Sequence, residues 1–227
     1  MLPDIAAAPH LPDDLPSNPF PTLVSWFEEA AAKRVQPNPN AMTLATATAD
    51  GRPSGRIVLC KAIEPEAGYV VFYTNYQGKK GQDLEANPRA SCVFFWDVLD
   101  RQARVEGLVV RCPAEESDAY FASRPLESRI GAWASDQSRP VESRAAMAER
   151  VAATMRRFGL EPGRPPSGPV EIPRPPHWGG YRVYAERVEL WVSGPGRVHD
   201  RAEWTRALTR QGDGYAGGPW SATRLQP

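Results

Sequence analysis

The spacing of apolar residues changes several times along the chain, and each change predicts a new kind of element. From residue 22 to residue 35 apolar residues recur every three to four positions, which predicts an amphipathic helix. Alternation with a period of two then predicts a β-meander with a hairpin turn at Asp50-Gly51. The predicted strands are residues 41–49, 56–63, 69–74, 90–96, 101–112 and 180–192, and the further predicted helices are residues 79–86, 113–123 and 139–158.

Two proline-rich stretches lack any hydrophobic period. Residues 1–20 hold five prolines, which predicts a flexible N-terminal arm, and residues 161–176 predict an extended loop. Residues 21–227 are predicted to form one domain, because a chain of 227 residues can bury one sizeable core. Antiparallel strands with inserted helices predict a mainly β, α+β protein whose sheet forms an antiparallel barrel. A doubly wound nucleotide fold is not expected, because the chain lacks its glycine-rich motifs.

The composition narrows the classes of partner. Lys plus Arg and Asp plus Glu each total 27, so no chain-wide basic field is available to attract nucleic acid. No apolar run approaches the roughly 20 residues that span a bilayer, and the first residues lack the order of a signal peptide, so we expect a cytoplasmic protein without membrane contact. Cys60, Cys92 and Cys112 lack the spacing of a zinc site or a disulfide framework, so we expect no metal.

Cations occur at two places where their surroundings make them costly. Arg56 and Lys61 bound an apolar stretch, and their spacing of five predicts that they face opposite sides of a strand. Lys79 and Lys80 lie at a predicted helix start, where a bound phosphate would offset their unfavourable interaction with the helix dipole. Solvated strand ends and a solvated Lys-Lys pair are the alternatives, and these residues alone leave both open.

A third group combines a cation with two hydroxyl groups. Tyr120, Arg124 and Ser128 are spaced by four, which places them on one side of a helix and of the turn that follows it. In that arrangement a guanidinium and two hydroxyls can bind a phosphate. An ordinary helix surface is the alternative interpretation.

A fourth group follows the last long strand. Beyond Trp191, the alternate residues Arg197, His199 and Arg201 are predicted to project from one face of a short strand around a flat anionic ligand. The chain has no motif that would supply a hydrolytic nucleophile. Many cations and amides without an acid–base pair are typical of a protein whose cofactor performs the chemistry.

Ten segments in collinear order resemble the pyridoxamine 5′-phosphate oxidase family, whose split β-barrel binds FMN. They are residues 56–61, 72–75, 87–89, 101–102, 120–125, 130–133, 137–138, 178–180, 197–201 and 224–227. Each segment is weak alone, but ten in one order are specific. The resemblance implies oxidation of pyridoxamine or pyridoxine 5′-phosphate to pyridoxal 5′-phosphate, with O₂ as acceptor and hydrogen peroxide released.

The resemblance also implies roles for individual residues. FMN is expected to contact Arg56, Ile57, Val58, Leu59, Cys60, Lys61, Tyr73, Thr74, Lys79, Lys80, Gln102, Gln137, Ser138, Trp191 and Arg201. The phosphorylated pyridine substrate is expected to contact Lys61, Tyr120, Arg124, Ser128, Arg197 and His199, the last two as catalytic residues beside the ring. Since Gln137-Ser138 and Trp191 lie far along the chain from the phosphate-binding segments, we expect a homodimer with FMN between its subunits.

Two features depart from the family's pattern. The family often has arginine where Lys79 stands, and lysine keeps the charge but loses the bidentate fork. Its enzymes often carry an Arg-Arg-Glu-Tyr motif in a basic N-terminal segment, whereas residues 1–20 contain no arginine or lysine. Two other functions stay open: a related split-barrel oxidase that acts on another ring, such as a phenazine precursor, and a non-catalytic flavin or pyridoxal-phosphate binding protein.

Overall fold

The fold is a curled antiparallel sheet with helices between its strands, which confirms the predicted mainly β, α+β class. The computed structural model describes residues 7–166 and 168–227. Its helices are α1 (Phe20–Lys33), α2 (Lys79–Ala86), α3 (Ala114–Ala122), α4 (Leu126–Ala134) and α5 (Arg144–Arg157). Its strands are β1 (Ala41–Ala47), β2 (Pro53–Leu59), β3 (Ala62–Glu64), β4 (Tyr69–Asn75), β5 (Arg89–Trp96), β6 (Arg101–Arg111), β7 (Trp178–Val192), β8 (Asp200–Thr205), β9 (Leu208–Gln211), β10 (Gly214–Gly217) and β11 (Ser221–Leu225).

Strand β7 is the branch point of the sheet. On one side it pairs with β6 from residue 181 to residue 192. On the other side β4 pairs with its first half, residues 178–184, and β8 pairs with its second half, residues 187–192. The sheet therefore divides at the middle of β7 into a branch with β3 and β4 and a branch with β8 and β11. The two ends of this one strand lie in different branches.

A β-bulge lies at the branch point. The register of β6 against β7 shifts between Glu106 and Gly107, which leaves Glu186 as the extra residue. The core positions of β7 change parity there: they are Tyr181, Val183 and Ala185 before the bulge and Val188, Leu190 and Val192 after it. The prediction of uninterrupted alternation from 180 to 192 is therefore wrong at Glu186. A Cβ on Gly107 would lie 1.9 Å from the Tyr184 carbonyl oxygen, so glycine is required opposite the bulge.

Two apolar clusters hold the sheet and the helices together. The larger fills the curl of the sheet, where Phe72 and Phe94 are fully buried and α1 packs Leu23 against them. Each buried Phe or Leu side chain contributes roughly 1.5–3 kcal/mol. The smaller cluster lies beneath α3 and α4 and joins Phe121 to Trp178. It fixes the first residue of β7 against both helices.

The predicted helices are confirmed with small changes of boundary, and one helix is additional. α5 begins at Arg144, not at residue 139, because Ser143 caps it by accepting a hydrogen bond from the Ala146 N–H at 3.0 Å. Val141, predicted to lie on its apolar stripe, precedes the helix and is exposed. The sequence predicted a turn where α4 forms after Pro125. Proline at a helix start lacks only an N–H that would have no partner within the helix.

Two predicted strands differ from those observed. The predicted strand 56–63 is divided, because β2 ends at Leu59 and β3 begins at Ala62. The predicted short strand at 197–201 is wrong for its first part: Arg197 ends a 3₁₀ turn with a φ of +66°, and β8 begins only at Asp200. Strands β9 to β11 were not predicted.

The segment before α1 lies against β8. Leu11 is buried, and its N–H donates to the Asp200 carboxylate at 2.7 Å, while the Trp204 indole N–H donates to the Pro16 carbonyl at 2.7 Å. Residues 1–6 of the predicted arm, and Ser167 of the predicted loop, lie outside the described residues. None of the helices in the described ranges combines the length and the apolar character needed to cross a bilayer.

Candidate functional site

A cavity of about 560 Å³ lies where β2, β4, α2, α3 and α4 meet. Its lining includes twelve of the residues predicted to bind ligands: Arg56, Ile57, Val58, Leu59, Lys61, Tyr73, Thr74, Lys80, Tyr120, Arg124, Ser128 and Gln137. Four of the lining side chains are cations, Arg56, Lys61, Lys80 and Arg124, and none is a carboxylate. We call this region the basic cavity. The structure therefore brings three of the four predicted cationic groups together.

Arg56 and Lys61 both line the basic cavity, although their spacing predicted opposite faces. The alternation does not extend to Lys61, because β2 ends at Leu59. Between them the side chain of Cys60 lies in the core, with its thiol 3.3 Å from the Ala62 carbonyl oxygen. Burial raises the pKa of this thiol to about 12, so it is chemically inert at neutral pH.

The first turn of α2 carries a buried cation. Lys80 is 9% exposed, and its Nζ donates to Gln137 Oε1 at 2.6 Å and to Thr74 Oγ1 at 3.1 Å. Burial first, and then the nearby Arg56 charge, lower the pKa of Lys80. No side chain caps this helix start, where Gly78 is the N-cap residue. The free backbone N–H groups and a lysine held only by neutral oxygens form an anion-binding position.

A buried carboxylate lies just outside the lining. Asp83, on the second turn of α2, accepts hydrogen bonds from Lys79 Nζ and from Thr46 Oγ1, the latter at 2.7 Å, and lies 3.8 Å from Arg56 Nη2. Lys79, predicted to contact FMN, is thus half exposed and paired with Asp83 instead of lining the cavity. Burial acts to raise the pKa of Asp83, but the hydrogen bonds from Lys79 and Thr46 outweigh it, and the pKa lies below its ordinary value.

Stacked aromatic rings form one wall of the basic cavity. The ring centroids of Tyr73 and Tyr120 are 3.9 Å apart, and the nearly parallel Trp178 ring lies 5.6 Å from Tyr73 and 6.2 Å from Tyr120. The Tyr73 hydroxyl donates to Glu116 at 3.2 Å, and burial, followed by the Glu116 charge, raises the pKa of Tyr73. The phenol therefore stays neutral and offers its ring face to a flat ligand.

Arg124 lies across the end of this wall. Its guanidinium is 4.5 Å from the Trp178 ring, and its Nη1 is buried without a hydrogen-bond partner among the described residues. Burial lowers the pKa of Arg124. A buried donor without a partner is costly, so the position is one that an anionic ligand would complete.

Five of the remaining predicted residues form a second group, which we call the distal cluster: Gln102, Trp191, Arg197, His199 and Arg201. Gln102, Trp191 and Arg201 lie side by side on β6, β7 and β8. The His199 ring is 4.6 Å from the Trp191 ring, and its Nδ1 accepts a hydrogen bond from the Gly194 N–H at 3.2 Å.

Arg201 is held by a second buried carboxylate. Its Nε donates to Glu189 Oε1 at 3.0 Å, and its Nη1 donates to the Gln226 carbonyl at 3.0 Å. Glu189 is 3% exposed and also pairs with Arg104 on β6. Arg197, in contrast, is exposed beside these residues.

The distal cluster lies far from the basic cavity within one chain. Trp178, in the cavity lining, and Trp191 are thirteen positions apart on β7, which corresponds to up to roughly 40 Å of strand. Apolar side chains are exposed in both regions: Ile57 in the cavity, and Phe95, Val98 and Val198 around the distal cluster. Ser138 follows Gln137 with a φ of +68° and is not part of the lining.

Three contributors were not identified from the sequence: Asp83, Glu116 and Trp178. Asp83 lies four residues after Lys79, and Glu116 lies four residues before Tyr120, so helical spacing was an available signal for both. Trp178 was part of a recognised segment, but its place beside Arg124 depends on the pairing of β7 with β4.

Comparisons with known proteins match almost the whole chain. A family model described as pyridoxamine 5′-phosphate oxidase matches residues 27–155, and one described as the pyridoxine 5′-phosphate oxidase C-terminal dimerisation region matches residues 178–227. A pyridoxine/pyridoxamine 5′-phosphate oxidase from Paraburkholderia phymatum is 50% identical over 94% of this chain and 91% of its own. One from Burkholderia cenocepacia is 48% identical over the same shares.

Solved structures show the same architecture. PhzG from Burkholderia lata, in complex with tetrahydrophenazine-1-carboxylic acid, superposes with a TM-score of 0.79 at 30% identity over 95% of both chains. A pyridoxamine 5′-phosphate oxidase-related FMN-binding protein from Nostoc punctiforme has a TM-score of 0.64 at 16% identity, over 92% of this chain and 97% of that one. The predicted split-barrel fold is therefore confirmed.

Proposed function

Because this chain belongs to the pyridoxamine 5′-phosphate oxidase family, we propose that it is an FMN-dependent oxidase that converts pyridoxamine or pyridoxine 5′-phosphate to pyridoxal 5′-phosphate. One observation carries the proposal. The basic cavity is lined by four cations and no carboxylate, and Arg124 within it has a buried donor without a partner among the described residues.

The charge of the cavity fits two phosphate groups. FMN and the substrate each carry one phosphate monoester, and two such groups bring roughly three to four negative charges at pH 7. Arg56, Thr74 and Lys80, at the start of α2, would hold the phosphate of FMN. Lys61 and Arg124 would hold the phosphate of the substrate, with the Tyr120 and Ser128 hydroxyls beside them.

The chain's own residues bind and orient, while the cofactor supplies the redox chemistry. Bound FMN would supply the redox chemistry, a two-electron oxidation of the substrate at C4′ with O₂ as the final acceptor, reduced to hydrogen peroxide. Arg124 and Lys61 fix one end of the substrate, and the stacked wall of Tyr73 and Tyr120 limits the tilt of a flat ring. Fixing both the phosphate and the ring plane sets which carbon faces the cofactor.

We propose that a homodimer completes the site, with the distal cluster of one chain facing the basic cavity of its partner. The matched dimerisation region spans β7 to β11 and so contains Trp191, Arg197, His199 and Arg201. Exposed apolar side chains in both regions support burial between chains. Gln137, whose position along the chain first favoured a dimer, lies in the cavity of its own chain, so the distal cluster carries this argument.

A second candidate is an oxidase of another ring, favoured by the similarity to PhzG in complex with tetrahydrophenazine-1-carboxylic acid. Arg124 could bind a carboxylate as well as a phosphate. Lys61 and Arg124, the two cations not assigned to the FMN phosphate, favour the phosphorylated substrate, because a phosphate monoester brings up to two negative charges and a carboxylate only one.

One assay separates the candidates. Purified protein with FMN is mixed with pyridoxine 5′-phosphate, pyridoxamine 5′-phosphate or tetrahydrophenazine-1-carboxylic acid, and aldehyde absorbance and hydrogen peroxide are followed. We expect aldehyde and peroxide from the phosphorylated pyridines. Turnover of the phenazine precursor alone would establish the second candidate. Flavin binding without turnover of any of them would identify a non-catalytic flavin-binding protein.

A further inference from the structure

Asp83 is a buried carboxylate next to a site that has to attract an anion. It is 3% exposed, and burying a charge is costly unless it is paired and hydrogen-bonded. Its two oxygens have different partners. Oδ1 accepts a hydrogen bond from Lys79, and Oδ2 accepts a hydrogen bond from Thr46 and faces Arg56. Asp83 therefore connects two cations of the cofactor side of the cavity without lining the cavity itself.

Resting on the function proposed above, we propose that Asp83 is a positioning residue that holds the cations of the FMN phosphate site in their binding geometry. The contacts of Arg56 are the main support for this role. Its Nη1 donates to Thr46 Oγ1 at 2.7 Å and to the Leu44 carbonyl at 3.1 Å, and its Nη2 donates to Ser54 Oγ at 2.8 Å.

The same threonine joins the guanidinium to the carboxylate. Thr46 accepts from Arg56 and donates to Asp83, so the hydroxyl links β1 to α2 through one chain of hydrogen bonds. Thr46 is itself 3% exposed, which protects this chain from competing water. Leu44 and Ser54 hold Arg56 within the sheet, and the chain through Thr46 to Asp83 is what connects it to α2.

The carboxylate also separates like charges. Arg56, Lys79 and Lys80 come together at one helix start, and Asp83 is the carboxylate that contacts two of them. Lys80 is bound only through Thr74 and Gln137 in the described contacts, so it keeps its charge available for a ligand. Without Asp83 the three cations would repel one another in a poorly solvated site and turn towards water.

If Asp83 is a positioning residue, its removal should change FMN affinity in the opposite direction from that expected of charge repulsion alone. A negative charge beside a phosphate site weakens anion binding, so removal of a carboxylate that acted only as a charge would tighten FMN binding. Removal of a positioning residue loosens it. Asp83→Asn distinguishes a positioning role from a purely electrostatic one, because asparagine keeps the shape of the side chain and loses its charge.

The experiment is a titration of flavin-free full-length protein with FMN and with riboflavin, followed by flavin fluorescence. Asp83→Asn is expected to weaken FMN binding by about ten-fold or more, as is typical when a residue that orients direct ligand contacts is lost. Riboflavin, which lacks the phosphate, is expected to bind Asp83→Asn as it binds the wild type. Asp83→Glu keeps the charge and is expected to recover part of the FMN affinity.

Glu85→Gln is the matched control. It removes the same charge from the same helix, but the Glu85 side chain is 71% exposed and pairs with Arg111, outside the cavity. FMN affinity of this variant is expected to stay at the wild-type value.

Two results would overturn the proposal: FMN affinity of Asp83→Asn that equals or exceeds that of the wild type, or loss of FMN and riboflavin binding in parallel. If Asp83→Asn does not fold, Thr46→Val breaks the same chain without a change of charge, and unchanged FMN affinity there overturns the proposal as well. A wild-type protein that fails to bind FMN would instead contradict the proposed function.

Discussion

The basic cavity and the distal cluster each have a buried carboxylate next to them, yet they differ in how many cations lack a carboxylate partner. Asp83 in the first and Glu189 in the second are each 3% exposed, and each contacts two cations. In the cavity three further cations, Lys61, Lys80 and Arg124, have no carboxylate partner among the described residues. In the distal cluster the carboxylate is shared between Arg104 and Arg201, and exposed apolar side chains surround it.

The difference shows that the two regions are incomplete in different ways. The cavity is lined by strands and helices and has no carboxylate in its lining, so an anionic ligand can supply the missing negative charge. In the distal cluster Arg201 has a carboxylate partner, but Arg197 and neighbouring apolar side chains are exposed, and a second chain can cover them. On the function proposed above, a single chain would supply a preformed anion site and, at the other end of β7, a surface for contact with its partner.

The largest expected effect comes from complementation between two inactive chains. One chain carries Lys61→Ala with Arg124→Ala, and the other carries Arg197→Ala with Arg201→Ala. In a two-fold symmetric dimer with sites between chains, the mixed dimer keeps one intact site of two and should regain about half of the wild-type turnover. Oxidase activity of tagged, co-purified mixed dimers measures this. No recovery over either parent would mean that both regions serve one site within each chain.

The next effect separates substrate binding from cofactor binding in the cavity. Arg124→Ala removes a charge-assisted contact worth roughly 1.5–3 kcal/mol, so KM for pyridoxine 5′-phosphate should rise about ten-fold or more. Flavin content should stay at the wild-type level. Arg129→Ala, which removes a cation outside the cavity lining, is the control. Loss of flavin from Arg124→Ala would assign this residue to the cofactor instead.

On the distal side, Arg197→Ala should change kcat as well as KM. Arg197 is exposed in one chain, and its proposed place beside the pyridine ring requires the dimer. Loss of ring orientation should lower kcat/KM by roughly ten-fold, with His199→Ala milder. Steady-state kinetics with flavin content measured for each variant tests the role. Unchanged kcat and KM would remove Arg197 from the site.

A smaller effect is expected at the second carboxylate. Glu189→Gln loosens Arg201, whose side chain is 27% exposed, so FMN affinity should fall only a few-fold, about 1 kcal/mol. Glu203→Gln on β8 is the matched control, because it removes a carboxylate that pairs with Arg187 instead. Equal losses of FMN affinity in the two variants would show that the ion pairs of Glu189 and Glu203 stabilise the sheet, and that Glu189 has no separate effect on Arg201.

The smallest effect is a dependence of stability on pH. The pKa of Asp83 is lower in the folded protein than in the unfolded chain, so its ionised form stabilises the fold above the unfolded pKa. That contribution is lost as pH falls through the folded pKa. Between pH 6 and pH 3 the wild type should therefore lose more stability in urea denaturation than Asp83→Asn. Parallel losses in both proteins contradict this prediction.

Local sequence signals predicted most of the helices and strands. The predictions were wrong where contacts with residues distant in sequence determine the local structure. α2 has its predicted bounds, and Asn87-Pro88 is the local signal that ends it. α4 was not predicted because Pro125 marks a turn as readily as a helix start, and only Ile130 and Ala134 of this helix are buried. The Gly194-Pro195-Gly196 sequence favoured a turn followed at once by a strand, whereas the chain continues in a 3₁₀ turn to Arg197.

The same limit applies to the site. Arg56 and Lys80 could be identified because a cation in apolar or helix-start surroundings needs a partner. That Gln137 would be this partner for Lys80, 57 residues away, could not be read from local spacing. The change of parity in β7 had a signal in the sequence, since Glu186-Arg187 places two charged residues in succession between alternating apolar residues. Identifying this signal as a β-bulge requires the register of β6 against β7.

The bulge at Glu186 also constrains how the chain can change in length. Trp178 and Trp191 are thirteen positions apart, an odd number, so in a regular strand they would project from opposite faces. The extra residue lets both project away from the larger apolar cluster. A deletion of one residue between them would turn residues 187–192 over, so that Val188 and Leu190 leave the larger apolar cluster and the Glu189 carboxylate faces it without Arg104 and Arg201. A change in the length of β7 therefore keeps the distal cluster on its present face only if it adds or removes an even number of residues.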